Sequence, residues 1–255
     1  MLDQLFSLSG KRALITGSSQ GIGFALAGGL ASAGAEIILN GRNEERLASA
    51  AKSLADAGHR VHQSAFDVVD RASVTAAVDA IEKTIGPIDI LINNAGMQHR
   101  TPLEDFPEDA WDRLMTTNVS SVFHVGQAVA KHMIGRKAGK IINICSVQSE
   151  LARPSIAPYT ASKGAVKNLT KGMCTDWAKY NIQVNGIGPG YFDTVLNKAL
   201  VEDAAFSEWL GKRTPAGRWG DVDELIGAAV FLASPSSSFV NGHILYVDGG
   251  ITASL

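Results

Sequence analysis

Tyr159 and Lys163 have the clearest potential for acid–base chemistry in this sequence. They are four residues apart in a predicted helix, so their side chains lie on the same face of it. A free phenol has a pKa of about 10 and is a weak base at neutral pH. Because a neighbouring ammonium favours the phenolate, Lys163 would allow Tyr159 to exchange a proton with a substrate hydroxyl.

Ser146 lies upstream of this pair, directly after a predicted strand. Its hydroxyl is suited to bind the same substrate oxygen, where it would align the reacting carbon and stabilise developing charge. It is not part of a Gly-x-Ser-x-Gly motif, which argues against an acyl-transfer enzyme. A tyrosine four residues before a lysine is common in helices, so this pair acquires meaning only from its combination with other motifs.

A glycine-rich turn between the first predicted strand and helix provides such a motif: Thr16-Gly17-Ser18-Ser19-Gln20-Gly21-Ile22-Gly23. Glycine permits positive φ and close approach of the backbone to a pyrophosphate. The helix that follows presents unpaired N–H groups and the positive end of its dipole. The turn therefore predicts a nicotinamide dinucleotide cofactor, although its spacing differs from the commoner Gly-x-Gly-x-x-Gly fingerprint.

The end of the second predicted strand indicates which dinucleotide is bound. It reads Asn40-Gly41-Arg42-Asn43, without the acidic residue that usually binds the adenosine ribose. A guanidinium can bind a 2′-phosphate through two charge-assisted hydrogen bonds, so Arg42 predicts NADP(H) rather than NAD(H). The alternative is a solvated Arg42 at the start of the next helix. Gln20 is neutral and supplies no second cation, which predicts a moderate preference.

Short apolar runs alternate with longer amphipathic segments along the whole chain, and this alternation is typical of an α/β protein. We predict a doubly wound, Rossmann-type parallel sheet of about seven strands with helices on both faces. The predicted strands are residues 12–16, 36–40, 60–66, 88–92, 140–145, 182–187 and 243–247. The main predicted helices are residues 21–33, 44–57, 72–84, 107–133, 158–180 and 222–233.

No linker or low-complexity tract divides the sequence, so we expect one catalytic domain over residues 1–255. Residues 192–220 interrupt the alternation after a strand, at the edge of the sheet where ligands bind. This insertion is a candidate substrate lid.

The glycine-rich turn, Asn93-Asn94-Ala95-Gly96, Ser146 and the Tyr159/Lys163 pair together resemble the short-chain dehydrogenase/reductase family in its single-domain form. The resemblance extends along nearly the whole chain and implies an active enzyme with Asn118, Ser146, Tyr159 and Lys163 as catalytic residues. In this family the residue matched by Asn118 supports a water relay to the lysine. Members are commonly homotetramers built on their long helices, here 107–133 and 158–180, with C-terminal contacts.

The resemblance also implies a cofactor site around the turn. Asp67 and Val68 would contact the adenine, Asn93 and Asn94 would brace the strand and cofactor, and the segment after the sixth strand would hold the carboxamide. With the turn itself, the predicted cofactor-binding residues are Gly17, Ser19, Gln20, Gly21, Ile22, Gly23, Arg42, Asp67, Val68, Asn93, Asn94, Ala95, Gly96, Tyr159, Lys163, Pro189, Gly190 and Thr194.

Further segments, notably residues 144–154 beside the reacting centre, resemble family members that interconvert D-gluconate and 5-keto-D-gluconate with NADP(H). We expect this activity. The alternatives within the class are reduction of another sugar acid, a polyol or a 3-oxoacyl substrate. A non-catalytic cofactor-binding regulator is the alternative outside the class, and the complete catalytic set argues against it.

A sugar acid requires a cation at some distance from Tyr159 and polar groups for its hydroxyls. Arg100 is the first candidate for binding the carboxylate and Arg153 the second, although either could be a solvated loop arginine. Gln148, Glu150 and His99 could bind hydroxyls, and with Ser146 and Tyr159 the predicted substrate-binding residues are Arg100, Ser146, Gln148, Arg153 and Tyr159.

Composition excludes several other classes of function. A net charge of −2, from 23 Lys and Arg against 25 Asp and Glu, offers no broad attraction for nucleic acid or an anionic membrane. The two cysteines and six histidines show no metal-ligand spacing, so no metal is expected. Residues 1–10 lack the features of a secretory signal and no apolar run is long enough for a membrane span, so we expect a cytoplasmic protein.

Overall fold

The computed structural model describes residues 2–255, and a parallel sheet of seven strands forms its centre in the order β3-β2-β1-β4-β5-β6-β7. The strands are β1 Arg12–Ile15, β2 Glu36–Gly41, β3 Val61–Ala65, β4 Ile90–Asn93, β5 Gly139–Ile144, β6 Ile182–Pro189 and β7 Ile244–Val247. The order reverses beside β1, between β1 and β4, so the doubly wound parallel sheet predicted from the sequence is confirmed.

Helices connect successive strands and cover the sheet. They are α1 Leu2–Phe6, α2 Gly21–Ser32, α3 Glu44–Asp56, α4 Arg71–Thr84, α5 Glu108–Met115, α6 Ser121–Arg136, α7 Ala157–Trp177, α8 Lys198–Val201, α9 Ala204–Arg213 and α10 Ile226–Ala233. No helix within residues 2–255 is long and apolar enough to cross a membrane.

The sheet separates two hydrophobic cores, because successive strand side chains point to opposite faces. On β2, Ile37 and Leu39 pack with α2, α3 and α10, whereas Ile38 packs on the opposite face with α4, α6 and α7. Both faces of the central strands are buried, which explains why β1, β2 and β4 carry continuous apolar runs rather than alternating ones.

The helix predicted over residues 107–133 is present and is helical from Glu108 onward, but it contains a π-helical turn. α5 ends at Met115, a π-helical turn spans Thr116–Ser120, and α6 begins at Ser121. A π turn widens the helix locally and often marks a functional site. Hydrophobic periodicity cannot reveal it, since the apolar residues on either side keep a helical spacing.

The predicted insertion lies between β6 and α10 and contains the short helices α8 and α9. Its ends meet in an isolated parallel bridge between Phe192 and Gly220. Tyr191 O accepts a hydrogen bond from Gly220 N at 2.9 Å, and Gly220 O accepts one from Asp193 N at 3.1 Å. The insertion is therefore closed at its base and lies over the carboxyl edge of the sheet, where the strand-end motifs meet.

Candidate active site

A cavity of about 930 Å³ opens at the carboxyl edge of the sheet and is lined by the segments that follow β1, β2, β3, β4, β5 and β6. It also receives residues of α7 and of the insertion, which we call the lid (residues 192–220). The carboxyl ends of parallel strands face one edge, so motifs that are distant in sequence share this cavity.

The glycine-rich turn forms one wall with little free space. Gly17 has a φ of +61°, and a Cβ placed there would lie 2.9 Å from Ala95 Cα. A Cβ on Gly23 would lie 2.4 Å from Asn94 Nδ2. Gln20, the residue directly before α2, makes no side-chain capping bond. Its side chain therefore does not occupy the free N–H groups at the N-terminus of α2. The turn has the close packing and the free helix N-terminus that a pyrophosphate requires.

Hydrogen bonds fix this turn against the loop after β4. Asn94 Nδ2 donates to Thr16 O at 2.9 Å and to Gly17 O at 3.0 Å. The Thr16 hydroxyl oxygen accepts from Asn94 N and Ala95 N, both at 3.0 Å. Because both loops are held by the same bonds, the first and fourth strand ends form one rigid wall.

One end of the cavity is formed by the segments that follow β2 and β3, and two arginines lie there. Arg42 is 77% exposed in its side chain, and its Nη1 lies 3.5 Å from Asp67 Oδ2. Arg46, on the first turn of α3, also lines the cavity. An exposed ion pair of this length is weak, so Arg42 is available to an anionic ligand.

The serine and tyrosine hydroxyls lie at the opposite part of the cavity. Ser146 has an extended backbone after β5, and its hydroxyl oxygen accepts a hydrogen bond from Gln148 N at 3.1 Å. Burial raises the pKa of the Tyr159 phenol, whereas its hydrogen bond with Ser146 and the charge of Arg100 act to lower it. The protein thus supplies two groups that favour the phenolate against the effect of burial.

Lys163 is buried beneath the tyrosine. Its Nζ donates to Ile144 O at 2.7 Å and lies 5.7 Å from the centre of the Tyr159 ring. Burial lowers the pKa of Lys163 to about 8. The ammonium therefore lies beside the phenol ring and is anchored to the end of β5.

Asn118 lies in the π-helical turn and is buried beside α7, the helix that carries Lys163. Its Nδ2 donates to Met97 O at 3.0 Å and to Ser162 Oγ at 3.1 Å, while its Oδ1 accepts from Met97 N at 2.8 Å. Its neighbour Thr117 lines the cavity. Asn118 thus joins α7 to the loop after β4.

The remaining wall, beside Tyr159, carries two positive charges. Arg100 donates to Asn197 Oδ1 at 3.1 Å, and Arg153 lies 5.5 Å from the centre of the Phe206 ring. Neither the Arg100 nor the Arg153 Nε has a hydrogen-bond partner. Burial, followed by the charge of Arg153, lowers the pKa of Arg100. Among the lining residues that the structure describes, Asp67 is the single carboxylate and it lies beside Arg42, so this wall is suited to an anionic substrate.

A sequence profile for short chain dehydrogenases matches residues 11–205. The chain belongs to the short chain dehydrogenase family. The predicted family membership is confirmed, and with it the predicted enzyme class, an oxidoreductase.

Relatives within this family match over the full chain. A gluconate 5-dehydrogenase of Gluconobacter oxydans is 64% identical over 98% of each chain. A 5-keto-D-gluconate 5-reductase of Escherichia coli is 58% identical over 100% of each chain, and a 2-dehydro-3-deoxy-D-gluconate 5-dehydrogenase of Formosa agariphila is 49% identical over 98% of this chain and 96% of that one. The crystal structure of a gluconate 5-dehydrogenase from Burkholderia cenocepacia in complex with NADP and tartrate superposes with a TM-score of 0.98, at 62% identity over 100% of each chain.

Most of the site residues predicted for this short chain dehydrogenase line the one cavity. Those lining it are Gly17, Ser19, Gln20, Gly21, Ile22, Arg42, Asp67, Val68, Asn94, Ala95, Gly96, Arg100, Ser146, Gln148, Arg153, Tyr159, Lys163, Pro189, Gly190 and Thr194. Gly23, Asn93 and Asn118 lie behind the lining. Asn93 is 3% exposed and donates to Asn143 Oδ1 at 2.9 Å, so it braces neighbouring strands.

Two residues suggested for hydroxyl binding lie elsewhere. Glu150 accepts hydrogen bonds from Lys167 Nζ at 2.6 Å and from Tyr246 Oη at 2.9 Å, and neither Glu150 nor His99 lines the cavity. His99 Nε2 is 2.9 Å from the hydroxyl of Thr101. Glu150 is paired with Lys167 of α7. This contact joins two different elements, so the sequence around Glu150 does not predict it.

Sequence reasoning missed Arg46, Tyr191 and Asn197, which all line the cavity. The spacing of Arg46, four residues after Arg42 at a helix start, was an available signal for a second cation. Tyr191 follows Pro189-Gly190 directly, so its proximity to the site was also accessible. Asn197 gave no local signal, since it reaches Arg100 only through the fold of the lid.

Within residues 2–255, no group of three or more His, Cys, Asp or Glu side chains could hold a metal ion.

Proposed function

We propose that this chain is an NADP(H)-dependent oxidoreductase that interconverts D-gluconate and 5-keto-D-gluconate. The observation that carries the proposal is the pair of arginines without a carboxylate partner in the same cavity as Ser146 and Tyr159. Full-length identity to relatives named for this reaction supports the same substrate.

The residues that line the cavity fit a nicotinamide dinucleotide. A Cβ on Gly17 or Gly190 would lie within 3 Å of backbone atoms of Ala95 or Asp248, so these positions are kept free of side chains. The N-terminus of α2 would bind the pyrophosphate, and Arg42 with Arg46 would bind a 2′-phosphate. Pro189, Gly190 and Thr194 would hold the carboxamide. When bound, the cofactor supplies or accepts the hydride.

The chain's own residues would manage the proton. During oxidation the Tyr159 oxygen takes the proton of the substrate hydroxyl, and during reduction it returns that proton to the carbonyl oxygen. Ser146 donates a hydrogen bond to the same oxygen and stabilises its developing charge. Lys163 would keep a positive charge beside the phenol ring. As the family resemblance implies, Asn118 would support the water relay by which protons reach Lys163.

The substrate carboxylate would bind first to Arg100, with Arg153 as the second cation. Arg100 is the stronger candidate because its charge acts on Tyr159 without a hydrogen bond to it, so it lies within electrostatic range of the reacting centre but not in contact with it. Its unpaired Nε and the neighbouring charge of Arg153 leave an excess of positive charge that a carboxylate would balance.

We also propose a cytoplasmic homotetramer in which residues 1–255 form one catalytic domain. Trp111 on α5 and Phe123 on α6 have exposures of 42% and 41%, and Phe239 and Leu255 near the C-terminus are fully exposed. Burying these side chains between copies would be favourable. Analytical ultracentrifugation tests the assembly: a mass near four chains supports it, and a monomer contradicts it.

The second candidate substrate is 2-dehydro-3-deoxy-D-gluconate, because a relative at 49% identity is named for it. A substrate panel separates the two. Reduction of 5-keto-D-gluconate, of the C5-oxidised product of 2-dehydro-3-deoxy-D-gluconate, of neutral polyol ketones and of 3-oxoacyl thioesters is followed by nicotinamide absorbance with NADPH and NADH. We expect the highest kcat/KM for 5-keto-D-gluconate with NADPH, and a higher value for any other substrate would contradict the proposal.

A further inference from the structure

The side chain of Gln148 is buried beside Ser146 with one polar atom left unpaired. It is 6% exposed and lines the cavity. Its Nε2 lies 3.4 Å from Tyr191 Oη, and its Oε1 has no hydrogen-bond partner. Whichever end of the amide faces the phenol, the other end remains unpaired. Buried polar groups in proteins are normally paired, so this one indicates a ligand.

Gln148 lies between the reacting centre and the second arginine. On one side its backbone N–H donates to Ser146 Oγ at 3.1 Å. On the other side its amide contacts Tyr191; burial raises the pKa of that phenol and the charge of Arg153 acts to lower it, so Arg153 lies nearby. The order along this wall is therefore Ser146, Gln148, Tyr191 and Arg153. A substrate that extends from Ser146 toward the arginines passes the unpaired amide.

Tyr191 is itself held by the lid. Its ring centre lies 5.6 Å from that of Phe206, 5.9 Å from that of Trp219 and 6.3 Å from that of Trp209. Aromatic pairs at these distances contribute to packing and restrict the ring. The phenol is therefore a fixed partner for Gln148 rather than a mobile one.

We propose that Gln148, positioned by Tyr191, binds the C4 hydroxyl of the substrate, which adjoins the reacting carbon on the carboxylate side. This inference rests on the proposed function, because it requires reaction at C5 and a carboxylate on the arginines. A hydroxyl both donates and accepts, so it pairs with either end of the amide. The C6 hydroxyl also adjoins C5 but lies on the side away from the carboxylate. Gln148 is thus a specificity-determining residue and Tyr191 a positioning residue.

A cycle of variants and substrate analogues tests this assignment. The wild type and Gln148→Met, which has a similar volume without the amide, are assayed with NADPH on 5-keto-D-gluconate and on its 4-deoxy and 6-deoxy counterparts. A site that pairs a substrate hydroxyl rejects the analogue lacking it, and one buried hydrogen bond corresponds to about a tenfold to hundredfold change in kcat/KM.

We expect the wild type to lose this factor on the 4-deoxy ketone and Gln148→Met to lose it on the parent ketone. With the 4-deoxy ketone the two enzymes should agree within about threefold, because neither can form the bond. The 6-deoxy ketone should show the full difference between the enzymes. Tyr191→Phe, which keeps the aromatic packing, should lower kcat/KM about threefold to tenfold on the parent ketone but not on the 4-deoxy ketone.

If Gln148→Met lowered kcat/KM by the same factor on the parent and the 4-deoxy ketones, the residue would have a structural role and the assignment would be overturned. The assignment would also be overturned if the wild type and Gln148→Met had equal kcat/KM on the 6-deoxy ketone but differed on the 4-deoxy ketone. NADPH affinity within about twofold of the wild type, measured by fluorescence, shows that the variant folds. If the wild type does not reduce 5-keto-D-gluconate at all, the proposed function fails and this inference with it, whereas turnover without coupling overturns only the inference.

Discussion

The guanidinium of Arg100 donates to the side-chain oxygen of Asn197 at 3.1 Å, so the residue proposed to bind the carboxylate also contacts the lid. A second, longer bond from Arg100 reaches Leu196 O at 3.5 Å. Its Nε has no partner, and burial with the charge of Arg153 lowers the pKa of Arg100. A bound carboxylate would give the Arg100 Nε an acceptor and would balance the adjacent charges of Arg100 and Arg153.

Arg100→Met should raise KM for 5-keto-D-gluconate by about 10- to 100-fold, because hydrogen bonds to charged groups contribute about 1.5–3 kcal/mol. KM for a neutral ketone should change by less than about threefold, since it has no carboxylate to lose. Steady-state kinetics on both substrates provide the measurement. Arg113→Met removes an exposed arginine of α5 that pairs with Asp109 and is the matched control. Equal increases for the charged and neutral substrates would eliminate the carboxylate role.

The pH profile of gluconate oxidation should shift in Arg100→Met and in Ser146→Ala. Both groups act to lower the pKa of Tyr159, so removing either raises it. Oxidation requires the phenolate, and its rate falls as pH drops through this pKa. The acid limb of kcat/KM should therefore move to higher pH in both variants.

Reduction requires the protonated phenol, so its rate in the same variants should persist to higher pH than in the wild type. Arg113→Met should leave both profiles in place. Profiles of kcat/KM in each direction give the comparison, and an acid limb that stays fixed or moves to lower pH would disprove the assigned electrostatic effect. Ser146→Ala should also lose rate by about 100- to 1,000-fold, as expected for a donor to the reacting oxygen.

Arg42→Ala and Arg46→Ala should each weaken NADPH binding by about 10-fold or more and change NADH binding by less than about threefold. Both guanidinium groups line the cavity, and only NADPH carries the 2′-phosphate that they would bind. Kd values from fluorescence titration give the ratio. Lys52→Ala is the control, because Lys52 lies on the same helix and pairs with Asp56 outside the cavity lining. Equal weakening of both cofactors would contradict a phosphate role.

Gly23→Ala should destabilise the turn, because the new Cβ would lie 2.4 Å from Asn94 Nδ2 and 2.7 Å from Gly17 O. Overpacking of this kind costs about 1–3 kcal/mol and would also weaken binding of either cofactor. Gly28→Ala is a matched substitution on the same helix, where the nearest atom is Leu54 Cδ2 at 3.7 Å. Alanine favours the helix there, so Gly28→Ala should leave the unfolding midpoint unchanged or raise it. Urea unfolding and cofactor titration distinguish the two, and equal behaviour would refute the steric argument.

The general architecture was predictable because its signals are local. Buried parallel strands require continuous apolar runs such as residues 37–39 of β2, and the turn after β1 requires glycines at fixed positions. The spacing of Tyr159 and Lys163 places both on one helix face, whatever surrounds them. These features follow from backbone geometry over a few residues, so the fold class and the family followed from the sequence.

The tertiary structure decided which polar side chains face the cavity. Glu150 and Gln148 are two residues apart, yet Glu150 is bound by Lys167 and Tyr246 while Gln148 faces the site beside Tyr191. The π-helical turn at Asn118 and the contact between Arg100 and Asn197 likewise depend on packing between distant elements.

By itself, then, the sequence determined the parallel sheet, the glycine-rich turn after β1 and the spacing of Tyr159 and Lys163 on one helix, because each depends on short-range backbone geometry. Only the folded structure decided the partners of the long side chains around the substrate. Those side chains have several rotamers, and contacts from elements far away in sequence select among them.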